Sequence, residues 1–190
     1  MSAFEHVTAL LSFVYALALT HLLARIAELI VARERVIFSG LRVLGMVNAV
    51  VLVFANWLSL WDLHSITSWD LPSIAIQFLF ALSLYLICAL VGPKTPEEGT
   101  LDLEHFFWRQ RPYFYAAIVV MLILALLANL DFLKTPNAAL FVKENLVTLA
   151  MLIPTVLALI SQNRWVQWAA GLCFLAMLIG FTIMFSSRLG

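Results

Sequence analysis

The chain is predicted to be all-α: a polytopic transmembrane helical bundle of six spans, forming a single domain over residues 1–190, with a short interfacial helix between the third and fourth spans. Three observations predict this. Apolar residues occupy 64% of the 190 positions and charged residues 12%, against about 45–50% and about 25% in soluble domains. Nearly uncharged runs recur at 7–23, 43–61, 73–91, 113–130, 146–160 and 166–185, close to the roughly 20 residues that carry a helix across about 30 Å of hydrocarbon. These runs do not alternate apolar with polar residues. Lipid offers the backbone no hydrogen-bond partners, so spanning segments that do not form a closed barrel must be helical.

Charge and cysteine usage narrow the partners. Eleven Lys and Arg balance eleven Asp and Glu, which removes the basic footprint of a nucleic-acid binder and leaves the lipid bilayer as the expected surroundings. Glu5 is the only early side-chain charge, so the N-terminus lacks the basic region of a cleaved leader and the first helix is expected to be retained. Cys88 and Cys173 lie in separate spans without paired spacing and read as small packing residues. Arg25, Arg33, Arg35, Arg42, Lys94, Arg109, Arg111 and Arg164 belong to one side of the bundle, and Lys134, Lys143 and Arg188 to the other. Lys and Arg accumulate on the cytoplasmic side, which predicts both termini outside the cytoplasm.

Taken in order, the first span carries Glu5, Thr8, Ser12 and Tyr15 along one edge at helical spacing. Beside them run Ala9, Ala16, Thr20, Ala24 and Ala27, a stripe small enough for another helix to approach closely in lipid. This face is expected to look inward and to put the helix at the bundle centre. His21, Arg25 and Glu28 lie nearly opposite, where an Arg25–Glu28 pair can snorkel to the boundary; a proton path would need His21 to face protein. In the second span Asn48, Leu52, Ala55, Asn56, Ser59 and Asp62 follow one side. Trp57, Trp61 and His64 occupy the other and, with Trp69, suit an interfacial aromatic belt.

The short 65–72 loop predicts an antiparallel hairpin into the third span, which holds Gln77, Ser83, Tyr85 and Cys88 and stops at Gly92-Pro93. A Pro- and Gly-containing loop follows. The interfacial helix is placed at 101–111, with Thr100 as N-cap, Asp102 in its first turn, and Arg109 and Arg111 in its last. The fourth span runs from Tyr113 to Asn129 and Asp131. Pro136-Asn137 breaks the chain and offers Asn137 as a cap for a helix starting before Leu146. Pro154, in mid-span, removes one backbone hydrogen bond and predicts a kink. The sixth span follows a turn at Gln162-Asn163-Arg164, with Trp165 and Trp168 at the inner interface and a small stripe at Ala169, Cys173, Ala176 and Gly180. No duplication relates the first three spans to the last three.

One end gathers Glu5, His6, Asp62, His64, Asp70 and Asp131, with Asn56, Ser59 and Asn129 deeper. A solvated rim accounts for such residues. The functional alternative is a polar pocket open to the outer face, since polar groups within a span are costly to desolvate; its candidates are Glu5, Thr8, Ser12, Tyr15, Asn56, Ser59 and Asp62. His6 and His64 are the cofactor-binding candidates, as axial ligands of a haem, with His21 and His105 near the other face. His105 falls in the connection between the third and fourth spans and His64 sides with tryptophans, so no cofactor is the expected state, and no metal site is assigned. There is no His-Glu-x-x-His helix, no Gly-x-Ser-x-Gly elbow and no Gly-rich phosphate loop, so no catalytic residue is named.

Phe4-Glu5-His6-Val7, then Ser12, then Leu17-Ala18-Leu19-Thr20-His21-Leu22-Leu23 resemble the opening of a group of small bacterial six-helix inner-membrane proteins without an assigned activity. The resemblance implies a bacterial inner membrane, hence periplasmic termini, and carries no residue roles. The expected function is non-enzymatic: helix–helix contacts within a homo-oligomer or with other subunits of a membrane complex. A small channel or transporter using the polar pocket is the alternative, and haem or pigment binding a distant third.

Overall fold

The computed structural model describes residues 3–66, 69–96, 98–133 and 137–186; Lys134, Pro136, Arg188 and the Asp131 side chain lie outside this description. Its helices are α1 (Ala3–Val31), α2 (Gly40–Ser59), α3 (Leu71–Val91), α4 (Leu103–Leu133), α5 (Ala138–Glu144), α6 (Leu146–Ile160) and α7 (Arg164–Ser186). Five helices, α1 to α4 and α7, are long and apolar enough to cross a membrane. The pair α5 and α6, bent by 68°, makes a sixth if taken as one broken span.

The bundle is organised around α2 and α3, which corrects the central position expected of α1. Helix α3 packs against α1, α4 and α2; α2 packs against α7; and α6 bridges α4 and α7. Helix α1 sits at one edge, burying Leu11, Val14, Tyr15, Ala18, Leu22 and Leu29. Lipid is as apolar as the helix surface, so dispersion and shape decide which face is buried, and these side chains at 3–4-residue spacing fill the joint with α3. The stripe of Ala9, Ala16, Thr20, Ala24 and Ala27 is exposed instead. The α7 stripe of Ala169, Cys173, Ala176 and Gly180 is exposed too, so Cys173 is not the packing residue it was expected to be. At Gly171 of α7 a Cβ would lie 2.7 Å from Leu44 Cδ2 on α2. The Asn48 amide donates to the Gly171 carbonyl at 3.0 Å across the same joint.

The segments expected as an interfacial helix and a fourth span form one continuous helix of 31 residues with Pro112 inside it. The Asp102 carboxylate, accepting from Glu104 N at 2.8 Å and His105 N at 3.1 Å, starts this helix in place of Thr100. Leu101 and Asp102 form β2, paired in parallel with β1 (Val36–Ile37). Asn137 caps α5 as expected, accepting from Ala139 N and Leu140 N. The large bend in the fifth run falls at Asn145, whereas the helix continues through Pro154.

Two arginines counted above as loop charges are buried. Arg42 is 1% exposed, donates to the Leu90 carbonyl at 2.6 Å and lies 4.5 Å over the Phe106 ring. Arg111 donates to the carbonyls of Ala158, at 3.1 Å, and Ser161. Gln167 Nε2 reaches the same two oxygens at 2.8 and 2.7 Å. The last carbonyls of α3 and α6 thus receive cationic donors, the arrangement that the negative end of a helix dipole favours.

Candidate functional site: a polar vestibule

Alternating helix direction brings six segments to the end of the bundle opposite these arginines: the start of α1, the end of α2, the start of α3, the end of α4, α5 with the start of α6, and the end of α7. They surround a cavity of about 870 Å³. Tyr15, Asn56, Ser59 and Asp62 line it. Glu5, Thr8 and Ser12 do not: Glu5 is exposed, and the Thr8 hydroxyl donates at 2.7 Å to the Phe4 carbonyl in its own helix.

The wall also includes Gln77 and Phe80 from α3, Ala125, Ala128 and Asn129 from α4, and Lys143, Glu144 and Thr148 from α5 and α6. Gln77 was legible as a polar residue in a span, but no local pattern tied it to Asn56. No local pattern marks Lys143 and Glu144 as site residues, because they reach the cavity wall from α5, across the bend at Asn145. Asp62, Lys143 and Glu144 are exposed and put charges of both signs on the wall.

Asn145, 1% exposed, holds the bend. Its Nδ2 donates to the Phe141 carbonyl at 2.9 Å, and its Oδ1 accepts from Asn129 Nδ2 at 2.5 Å. The main-chain carbonyl accepts only, so this chain of bonds sets both amide orientations and commits an Asn129 N–H inward to the bend. Asn56 Nδ2 is likewise committed to the Leu52 carbonyl at 2.7 Å, and the Ser59 hydroxyl to the Asn56 carbonyl at 2.8 Å. Tyr15 is 2% exposed and Gln77 is 7% exposed, yet among the described residues neither side chain makes a hydrogen bond while both line the cavity. Their polar atoms are not sealed off but open onto the cavity, where water or a ligand can partner them.

The histidines divide between different places. His64 lines the cavity, with Nδ1 donating to the Trp61 carbonyl at 2.6 Å and its ring 5.5 Å from that of Trp61. His6 is exposed and off the cavity wall. His21 is half-buried, 5.8 Å from the Tyr85 ring, and the neighbouring Arg25–Glu28 pair closes at 2.8 Å. His105 borders a smaller hollow of about 510 Å³ with Asp102, Phe106 and Arg109. Among the described residues no group of three or more His, Cys, Asp or Glu side chains is placed to hold a metal ion. Comparison of the chain with family models, curated proteins and solved structures gives no match.

Proposed function

We propose that the chain is a small transporter-type protein of a bacterial inner membrane that receives a small molecule from the periplasmic side into this vestibule. In this reading α5 and α6 form the fifth of six crossings, and both termini are periplasmic. The observation that supports it is the one-sided cavity. Its volume falls in the roughly 300–1,000 Å³ range of small-molecule sites, and it is lined by polar side chains from several spans, where they are expensive unless used. Below it the helices close around Ala18, Leu22, Ala81, Leu84, Cys88 and Val91, all with almost no exposure. A site reachable from one side and sealed on the other is one of the two states alternating access requires.

The test has two arms. With Cys88 and Cys173 replaced by Ala, a single cysteine at Ala125 should react with a membrane-impermeant methanethiosulfonate from the periplasmic side, and one at Ala81 should not. Protein purified from its own membrane should retain a small molecule by mass spectrometry, and Ala125→Trp, which fills the cavity, should lose it. Failure of labelling at residue 125 removes the vestibule. Labelling without any retained molecule removes the transport reading.

A second reading, assembly through helix–helix contacts, is supported by the exposed small-residue stripes on α1 and α7. It predicts disulfide-linked dimers from Ala16→Cys or Ala176→Cys in native membranes, and fails if both variants remain monomeric under oxidation.

A further inference from the structure

We infer that the ligand class of the vestibule is a neutral amphipathic molecule bearing a hydroxyl, of the kind represented by an alkylphenol, and that ions are disfavoured; this rests on the vestibule being a ligand site. Its buried polar residues are Tyr15 and Gln77, with Asn56 and Asn129 half-buried beside them, and none carries a formal charge. The charged lining residues Asp62, Lys143 and Glu144 are exposed. An ion moved down among the buried groups would lose water without gaining a counter-charge, which costs several times more than burying a neutral polar group.

The amides also have hydrogen-bonding groups to spare. Asn56 and Asn129 each commit an N–H to the protein, to the Leu52 carbonyl and to Asn145 Oδ1, and among the described residues their side-chain carbonyl oxygens have no partner. Tyr15 and Gln77, each more than nine-tenths buried and unpartnered among the described residues, can donate or accept. Asn56 and Asn129 each keep a second N–H, so the polar lining offers both donors and acceptors, and a ligand hydroxyl, which donates and accepts, can satisfy it: its O–H donates to an amide oxygen while its oxygen accepts from Tyr15 or Gln77. Phe80, Ala125 and Ala128 supply apolar wall for the remainder of an amphipath.

The experiment uses the full chain in lipid nanodiscs, with binding measured by equilibrium dialysis against empty discs to subtract partitioning. The probes are para-butylphenol, its methyl ether para-butylanisole, para-butylbenzoate and para-butylbenzylammonium. The phenol should bind about three- to tenfold more tightly than the ether, the net worth of one hydrogen bond, and both ions should bind more weakly than the phenol. Tyr15→Phe and Gln77→Met should each reduce the preference for phenol over ether. Tyr15→Phe should leave the unfolding midpoint unchanged, because its hydroxyl opens onto the cavity and has no partner among the described residues; if it misfolds, Gln77→Met carries the test. Equal binding of phenol and ether, or ions binding as well as the phenol, overturns the ligand class and leaves the vestibule standing. No binding of any probe above empty discs overturns both.

Discussion

Substituting Gly171 asks whether α2 and α7 meet as closely as described. In Gly171→Ala the new Cβ would lie 2.7 Å from Leu44 Cδ2 and 3.3 Å from Leu44 Cγ, where carbon atoms prefer about 3.5–4.0 Å. Leu44 is buried, so it has little room to swing away, and spreading the helices stretches the Asn48 bond to the Gly171 carbonyl. Overpacking of this kind costs about 1–3 kcal/mol, and loss of the bond about 1 kcal/mol more. Against this stands the gain of about 1 kcal/mol in helix propensity from Gly to Ala. The expected net is about 1–3 kcal/mol of destabilisation, and more for Gly171→Val, which adds two methyl groups and little propensity. Gly180→Ala is the internal standard. Nothing lies within 4 Å of its Cβ, so propensity acts alone and the variant should gain about 0.5–1 kcal/mol. Reversible SDS-driven unfolding in mixed micelles, followed by far-ultraviolet circular dichroism, measures all three. A Gly171→Ala protein at least as stable as the native one would refute the close joint.

Three further perturbations address other parts of the bundle. Asn145→Ala removes both hydrogen bonds at the α5–α6 bend and should cost about 1–3 kcal/mol, with faster amide exchange over 138–144; unchanged exchange there would show that the bend does not depend on this side chain. Arg111→Met and Gln167→Leu remove donors to the same two carbonyls, so each should be partly covered by the other and the pair should cost about 1 kcal/mol more than the sum; additive costs in a double-mutant cycle would contradict a shared cap. Cys173 is exposed and Cys88 buried, so a small lipid-permeant maleimide should modify Cys173 in the folded protein and reach Cys88 only after unfolding. Equal rates would contradict that burial.

Helix existence was plain from local pattern because a span must be a long apolar run, and residues 43–61 and 73–91 lie inside α2 with its following turn and inside α3. Packing partners were not plain. In lipid both the bulky and the small face of α1 are apolar, so no hydrophobic contrast marks the buried side, and the choice of Leu11, Val14 and Leu22 over Ala9, Ala16 and Ala24 depends on the shape of α3. The buried arginines were obscured for a related reason: Arg42 and Arg111 follow loop sequence and look like boundary charges, and only the endings of α3 and α6 reveal their acceptors. Of the site, Tyr15, Asn56, Ser59 and Asp62 could be proposed from polarity within or beside an apolar run. Asn129 is placed at the same end by its depth in the fourth apolar run, whereas the contribution of Gln77 depends on neighbouring helices and those of Lys143 and Glu144 on the bend at Asn145.

That bend also gives the molecule walls of unequal height. Helix α6 has 15 residues and rises only about 22 Å, short of a hydrocarbon layer of about 30 Å. Helix α4, past its charged first turns, runs from Tyr113 to Leu133, about 31 Å, and matches that layer. Lipids bordering α6 therefore meet a low wall beside a full one, and the bilayer must thin there or the bundle must lean, at a cost of fractions of a kcal/mol for each ångström of mismatch. A membrane a few ångströms thinner relieves the α6 side, so bilayer thickness itself becomes a load on the bend at Asn145.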